Sequence, residues 1–309
     1  MTLVSINAET AKTKFLKQAF TLKHGLADHP LFSLSKLVEL ANSMPGDRIE
    51  YNSGKVAIGA KPEEVPKINK SPAEVIRAIE TDNAWMVIKR VESHPAYRSI
   101  LESFVREANI AAGRPANEAT DIEGFIFVSS ANATTPFHID AEENILIQIK
   151  GDKFVRTFDN SDRSLVGEED MEFSPSKHRN LPYEDWFESR ATLHSLKPGD
   201  ALHMPYTMPH WVSTGSSYSI SMAMTWKTPE VLRLNKIRTM NGTLRRFGMP
   251  QRPPDASPAL DAAKVQIHDI IQAILNPLRK SENIRRILRA IVYGRKANYY
   301  LAARPKQGM

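Results

Sequence analysis

Two stretches of this chain carry residues spaced for metal chemistry. In TPFHIDAEENILIQIKGDKF, residues 135–154, His138 and Asp140 stand two apart in a strand-like context. About seventy residues further on, GDALHMPYTMPHW supplies His210. Two imidazoles and one carboxylate form the facial set that holds Fe(II) and leaves positions open for a co-substrate and dioxygen. On a strand, residues i and i+2 share a face, so His138 and Asp140 can ligate one ion while Ile139 faces away. His210, just before the strand-like WVST, would close the set from a non-adjacent strand. The chemistry would be oxidative, although an HxD triplet also arises by chance in a chain with nine histidines.

The other seven histidines have ordinary contexts. His24, His29, His94 and His178 fall in polar or loop-like stretches, and His268 falls on a helix. His194 and His203 lie on strands, where a supporting role and a core role fit equally.

The elements that must position these groups change in texture along the chain. Residues 1–120 read mostly as a helical and loop scaffold. SPAEVIRAIE offers Ser71 as N-cap, Pro72 at the first helical position and Glu74 to complete a capping box. Ser33 or Ser35 introduces a second helix through Leu37, Val38, Leu40 and Ala41, stopped by Pro45-Gly46.

Residues 121–230 hold short β-branched runs: FIFVSS, NILIQIK, KFVRTFD, ATLHSLK, DALHM and YSISMAMTW. Many short strands without intervening long helices predict a mainly β fold, an antiparallel sandwich or barrel. The polar stretch 159–190 reads as an insertion.

Gly151-Asp152 between two of the runs reads as a hairpin turn. In that register Asn144, Leu146, Gln148, Lys150, Lys153 and Val155 project from one face. The polar members of that face either meet solvent or, if buried, require a polar partner; a dicarboxylate bound by Lys153, with Asn144 or Thr135 donating hydrogen bonds, would satisfy them.

Residues 231–309 read as a basic helical region. Ile267, Ile270, Ile271, Ile274 and Leu278 make one apolar stripe, and Ile284, Ile287, Leu288, Ile291 and Val292 make another. The pair suggests a dimer interface.

Composition narrows the classes. A chain of 309 residues with 41% apolar content can bury a large core, and the absence of cysteine excludes disulfides, thiolate metal sites and thiol nucleophiles. No apolar run approaches membrane-span length and the N-terminus lacks an apolar signal core, so a cytoplasmic protein without a membrane segment is expected. The net charge of +6 is uneven: residues 233–309 carry 16 Lys/Arg against 4 Asp/Glu. Such a tail suits nucleic acid or acidic protein, yet Arg285, Arg286 and Arg289 equally suit the solvated face of a helix, and no nucleic-acid motif accompanies them.

The segment TPFHID, Asn144 six residues after His138, Gln148-Ile149-Lys150-Gly151 and Lys153 fifteen residues after His138 together resemble JmjC-type, cupin-fold oxygenases dependent on Fe(II) and 2-oxoglutarate. The likeness is closest to the branch of the asparaginyl hydroxylase that inhibits hypoxia-inducible factor. Pro198-Gly199-Asp200, Pro205 before His210, and Trp226 extend it over residues 124–226. The resemblance implies a double-stranded β-helix (cupin, jelly-roll) barrel followed by a dimerising helix pair. It implies His138, Asp140 and His210 as iron ligands, and Thr135, Asn144 and Lys153 around 2-oxoglutarate.

It further implies a hydroxylase acting on a protein side chain or a small metabolite. Trp211, Tyr206 and residues 159–190 are candidates for the substrate rim, and each fits a packing role equally well. One departure stands out: the branch has asparagine two residues before the closing tryptophan, where this chain has Met224. That departure keeps a second expectation open, a cupin-like metal-binding regulatory protein without oxygenase turnover.

Overall fold

In a computed structural model, residues 3–60, 64–66, 68–175 and 180–278 are described. The strands are β1 Val4–Ser5, β2 Phe20–His24, β3 Ile49–Ser53, β4 Ala84–Lys89, β5 Thr120–Ser129, β6 Thr134–His138, β7 Glu143–Lys150, β8 Lys153–Thr157, β9 Thr192–Leu196, β10 Asp200–Met204, β11 His210–Thr214 and β12 Ser219–Lys227. The helices are α1 Ala8–Lys14, α2 Leu34–Ser43, α3 Pro72–Arg77, α4 Pro95–Ala111, α5 Glu168–Phe173, α6 Pro229–Arg246 and α7 Pro258–Leu278. The described residues divide into two compact units, Met1–Val166 with His178–Val231, and Gly167–Lys177 with Leu232–Met309.

The first unit holds an eight-stranded sheet in the order β1-β2-β10-β7-β12-β5-β4-β3 and a four-stranded sheet in the order β6-β11-β8-β9. Every pairing is antiparallel. Between the sheets lies a small apolar interior of Leu146, Val155, Leu196, Leu202, Met204, Val212 and Ala223. The opposite face of the large sheet, with Ile145, Ile147, Met222, Met224 and Trp226, packs on residues of α2, α3 and α4 in the main core. β7 is therefore buried on both faces, seven of its eight residues being inaccessible.

Helix starts follow the sequence. Ser71 caps α3 in a capping box with Glu74, whose carboxylate accepts the Ser71 N–H at 2.7 Å. Ser33 caps α2, whose Leu37, Val38, Leu40 and Ala41 are buried. The strands β1 to β4 were not foreseen in residues 1–120; they extend the large sheet beyond the barrel strands.

One expectation is corrected. β7 and β8 are not a hairpin: β7 is paired by β10 and β12 on its two sides, so no lateral position remains for β8. Gly151, at φ +70, instead turns the chain into the other sheet, where β8 lies between β11 and β9. A Cβ at Gly151 would stand 2.3 Å from Tyr218 O, so only glycine fits this corner.

The second unit comprises α5, most of α6, and α7. Arg245 makes a two-pronged pair with buried Glu172, both bonds 2.8 Å long. Arg233 pairs with Asp255 at 2.7 Å and Lys236 with Asp269 at 2.8 Å, while Lys264 donates to Asn241 at 2.6 Å. The described basic residues named here are thus already engaged. Leu260, Ile267, Ile270, Ile271 and Ile274 are exposed along α7. The stripe of Ile284, Ile287, Leu288, Ile291 and Val292, and the basic Arg285, Arg286 and Arg289, lie outside the described residues, as does His178.

Candidate active site

Pairing between β6 and β11 sets the first two side chains. His210 stands directly opposite His138 in that ladder, and their ring centroids are 4.1 Å apart. Each imidazole is fixed by the carbonyl two residues before it: His138 Nδ1 lies 2.7 Å from Pro136 O, and His210 Nδ1 lies 2.9 Å from Met208 O. An Nδ1–H donated to a carbonyl makes Nε2 the ring atom that would bind a metal.

Asp140 lies two residues beyond the end of β6, and its carboxylate meets both Nε2 atoms, at 4.0 Å from His138 and 3.9 Å from His210. One ligand atom from each of the three residues falls within 4.8 Å of the others. Atoms bound to one ion at ~2.1 Å sit ~3 Å apart when adjacent, so these donors fit a single ion after closing by about 1–2 Å. They also fit chemically, being two imidazole nitrogens and a carboxylate oxygen without a thiolate.

The surroundings hold Asp140 at both its side chain and its backbone. Asn144 Nδ2 donates to Asp140 Oδ2 at 2.8 Å, and Asp140 O accepts the Thr207 N–H at 3.0 Å. Asn144 Oδ1 is buried without a hydrogen-bond partner. A buried acceptor of this kind is costly unless a donor arrives.

Lys153 lies inside the barrel, on the face of β8 that carries Val155 and Thr157, and Thr157 pairs with His210. Four residues of strand separate Lys153 from that row, roughly 13 Å of backbone. Lys153 is only 4% exposed; its ammonium donates to Ser221 Oγ and lies 5.5 Å from the Phe127 ring centroid. Burial alone pushes its amine down to about 7, because no carboxylate stands close enough to oppose the cost. Thr135 Oγ1 accepts from Trp85 Nε1 at 3.0 Å, and Trp85 packs on Phe127 with centroids 5.8 Å apart.

Gln148 has a different task from the one expected. Its Nε2 braces the corner at Lys150 O, Gly151 O and Ser219 Oγ, at 2.7, 2.8 and 2.9 Å. Lys150 is exposed. Met224 belongs to the main core with Met222 and Trp226, on the face of β12 opposite Ser221, so its side chain does not line the barrel. The neighbour that pairs with Asn144 is Thr225. Trp211 packs beneath the Arg156 guanidinium at 4.3 Å on the outer face of the small sheet, and His203 stacks on Phe20 and lies tilted against Phe15 in the core.

Trp85, Phe127 and Ser221 escaped the sequence reading. No local spacing announces them, because they come from β4, β5 and β12 and meet only through sheet order. The alternation Ser219, Ser221, Ala223 along YSISMAMTW was the available signal for an inward small and polar face.

The Cupin-like domain model matches residues 29–230, well over half of the sequence and all ten strands from β3 to β12. The chain belongs to the cupin-like domain family. Within that family's fold, two structures of YcfD from Escherichia coli, one of them described as a ribosomal oxygenase, align with 94% of this chain at 16% identity. Their TM-scores are 0.51 and 0.50, with 73% and 71% of those chains covered, a likeness that bears on the fold. No curated protein sequence matches the chain. A cupin-like barrel places inward side chains of both sheets around one interior, which is where the triad and Lys153 are found.

Proposed function

We propose that this cupin-like protein is an Fe(II)- and 2-oxoglutarate-dependent oxygenase that hydroxylates its substrate. The observation that carries the proposal is the shared interior of the His138, Asp140 and His210 donor set and the buried Lys153 amine. Iron with 2-oxoglutarate would supply the oxidising power, as a metal and co-substrate do in such sites.

The residues supply position. His138 and His210 would hold the metal through Nε2, Asp140 would hold it through a carboxylate oxygen, and Asn144 would fix the other oxygen. Lys153 would take the distal carboxylate as a charge-assisted hydrogen bond, with the Thr135 hydroxyl nearby. Trp85 already donates to Thr135 Oγ1, so the Thr135 hydrogen is left to donate toward an anion. Burial of the interior keeps water from competing for these groups.

The Met224 departure offers no support for a regulatory protein without turnover, since Met224 faces the core. The description of the fold relative as a ribosomal oxygenase favours a protein side chain as substrate over a small metabolite. The kinship with the asparaginyl hydroxylase branch, a homodimer through the exposed apolar face of α7, and a cytoplasmic location belong to the same proposal. No described helix is long and apolar enough to cross a membrane. The test is succinate production from 2-oxoglutarate, dependent on added Fe(II) and lost in His138→Ala; absence of turnover in wild type across a broad panel of peptides and metabolites contradicts it.

A further inference from the structure

The turn that carries His210 is held by a carboxyl group outside the barrel. Tyr206 sits in a two-sided clamp: its N–H donates to Glu143 Oε2 at 3.2 Å, and its carbonyl accepts from Asn160 Nδ2 at 3.1 Å. One residue later Thr207 takes φ +58 and donates its N–H to Asp140 O. Met208 N–H then bonds Pro205 O at 3.1 Å, and Met208 O receives the Nδ1–H of His210. A single turn, residues 205–209, thereby links Asp140 to His210 and sets where His210 Nε2 points.

Glu143 is an unexpected residue for its place. It is 3% exposed, and it lies opposite Trp226 in the β7–β12 ladder. A carboxyl buried among apolar side chains is costly without a compensating hydrogen bond. Burial pushes it up to about 8, so at neutral pH it is mainly the uncharged acid. His203, 3.9 Å away, does not neutralise it as an ion pair: its Nε2 accepts from Leu16 N–H, its Nδ1 donates to Gln18 O, and burial pushes it down to about 4. The hydrogen bond that remains to explain Glu143 is the one to the Tyr206 amide.

We infer that Glu143 is a positioning residue for the metal centre, which fixes the Tyr206 peptide and through it the turn that aims His210. The inference rests on the proposed metal site and adds to it a residue that touches neither metal nor co-substrate.

The test is titration of the full chain with Co(II), read by affinity and by the visible spectrum of bound cobalt. Glu143→Gln keeps an acceptor of the same shape and is expected to bind within about twofold of wild type with an unchanged spectrum. Glu143→Leu keeps the bulk without the acceptor and is expected to lose about 10–100-fold in affinity and to shift the cobalt bands. Cobalt binding by Glu143→Leu that equals wild type overturns the inference, as does a Glu143→Gln protein that falls equally far. Should Glu143→Leu fail to fold, Asn160→Ala releases the carbonyl side of the same residue, Tyr206, within the same turn; a weaker, altered cobalt site supports the inference and an unchanged one overturns it. A wild-type protein that binds no cobalt sinks the metal site itself, whereas wild-type binding with an unaffected Glu143→Leu sinks this inference alone.

Discussion

His138 and His210 are direct partners across the β6–β11 ladder, and the Asp140 carboxylate reaches both Nε2 atoms within 4.0 Å. Strand register, rather than loop conformation, brings the two imidazoles together. Substituting either one would leave the proposed metal site with two of its three ligands. His138→Ala or His210→Ala is expected to weaken Fe(II) or Co(II) binding by at least ~100-fold, beyond what loss of a supporting group costs, while the circular dichroism of the β fold is retained. Metal titration checks it.

Asn144 acts through Asp140. Asn144→Ala removes the 2.8 Å bond to Asp140 Oδ2 and is expected to cost about 10-fold or more in metal affinity, with the three ligands intact. Calorimetric titration of the variant with Co(II) measures it.

In the proposed site, Lys153 would make co-substrate binding pH-dependent. Its amine is pushed down to about 7 by burial, and a bound carboxylate raises it again. Binding therefore takes up a proton above pH 7 and none well below it. Affinity for 2-oxoglutarate is expected to be level below about pH 7 and to weaken by up to ~10-fold per pH unit above it. Calorimetry of the metal-loaded protein at pH 8, in buffers of different ionisation enthalpy, should report uptake approaching one proton.

Ser221 accepts from Lys153, so its effect should depend on the distal carboxylate. Ser221→Ala is expected to weaken 2-oxoglutarate binding by about 3–10-fold, in the range of one hydrogen bond, and to leave pyruvate, which lacks that carboxylate, unchanged. Competitive binding of the two oxo acids separates these cases.

Met224→Asn restores the residue type of the resembling branch at a position facing the core. The amide would be buried without a partner, so the variant is expected to lose about 1–3 kcal/mol of stability, seen in urea unfolding, with no gain in 2-oxoglutarate affinity.

How much of this was legible in the sequence depends on the distance over which each signal acts. His138 and Asp140 are two residues apart, and Ser71-Pro72 with Glu74 spans one helical turn; local spacing carries both. A shared face for Asn144, Leu146, Gln148, Lys150, Lys153 and Val155 was expected from a hairpin that does not exist; Asn144, Leu146, Gln148, Lys153 and Val155 are buried, and Lys150 is exposed. The parity survives because the Gly151 corner passes the chain from one inner face to the other. β2 and β4 went unread because both lie in a region read as helical, and AWMVIK, with four buried residues, lacks clean alternation. Trp85, Phe127, Ser221 and Glu143 depend on which strands become neighbours, and the order β7-β12-β5-β4 is written in no local pattern.

The most direct measurement is a crystal structure of the protein grown without oxygen in the presence of Fe(II) and 2-oxoglutarate. One metal ion is expected, bound by His138 Nε2, His210 Nε2 and an Asp140 carboxylate oxygen, with the far carboxylate of the oxo acid on Lys153 Nζ. Iron bound elsewhere, or an oxo acid whose distal end leaves Lys153 on Ser221 alone, would contradict it.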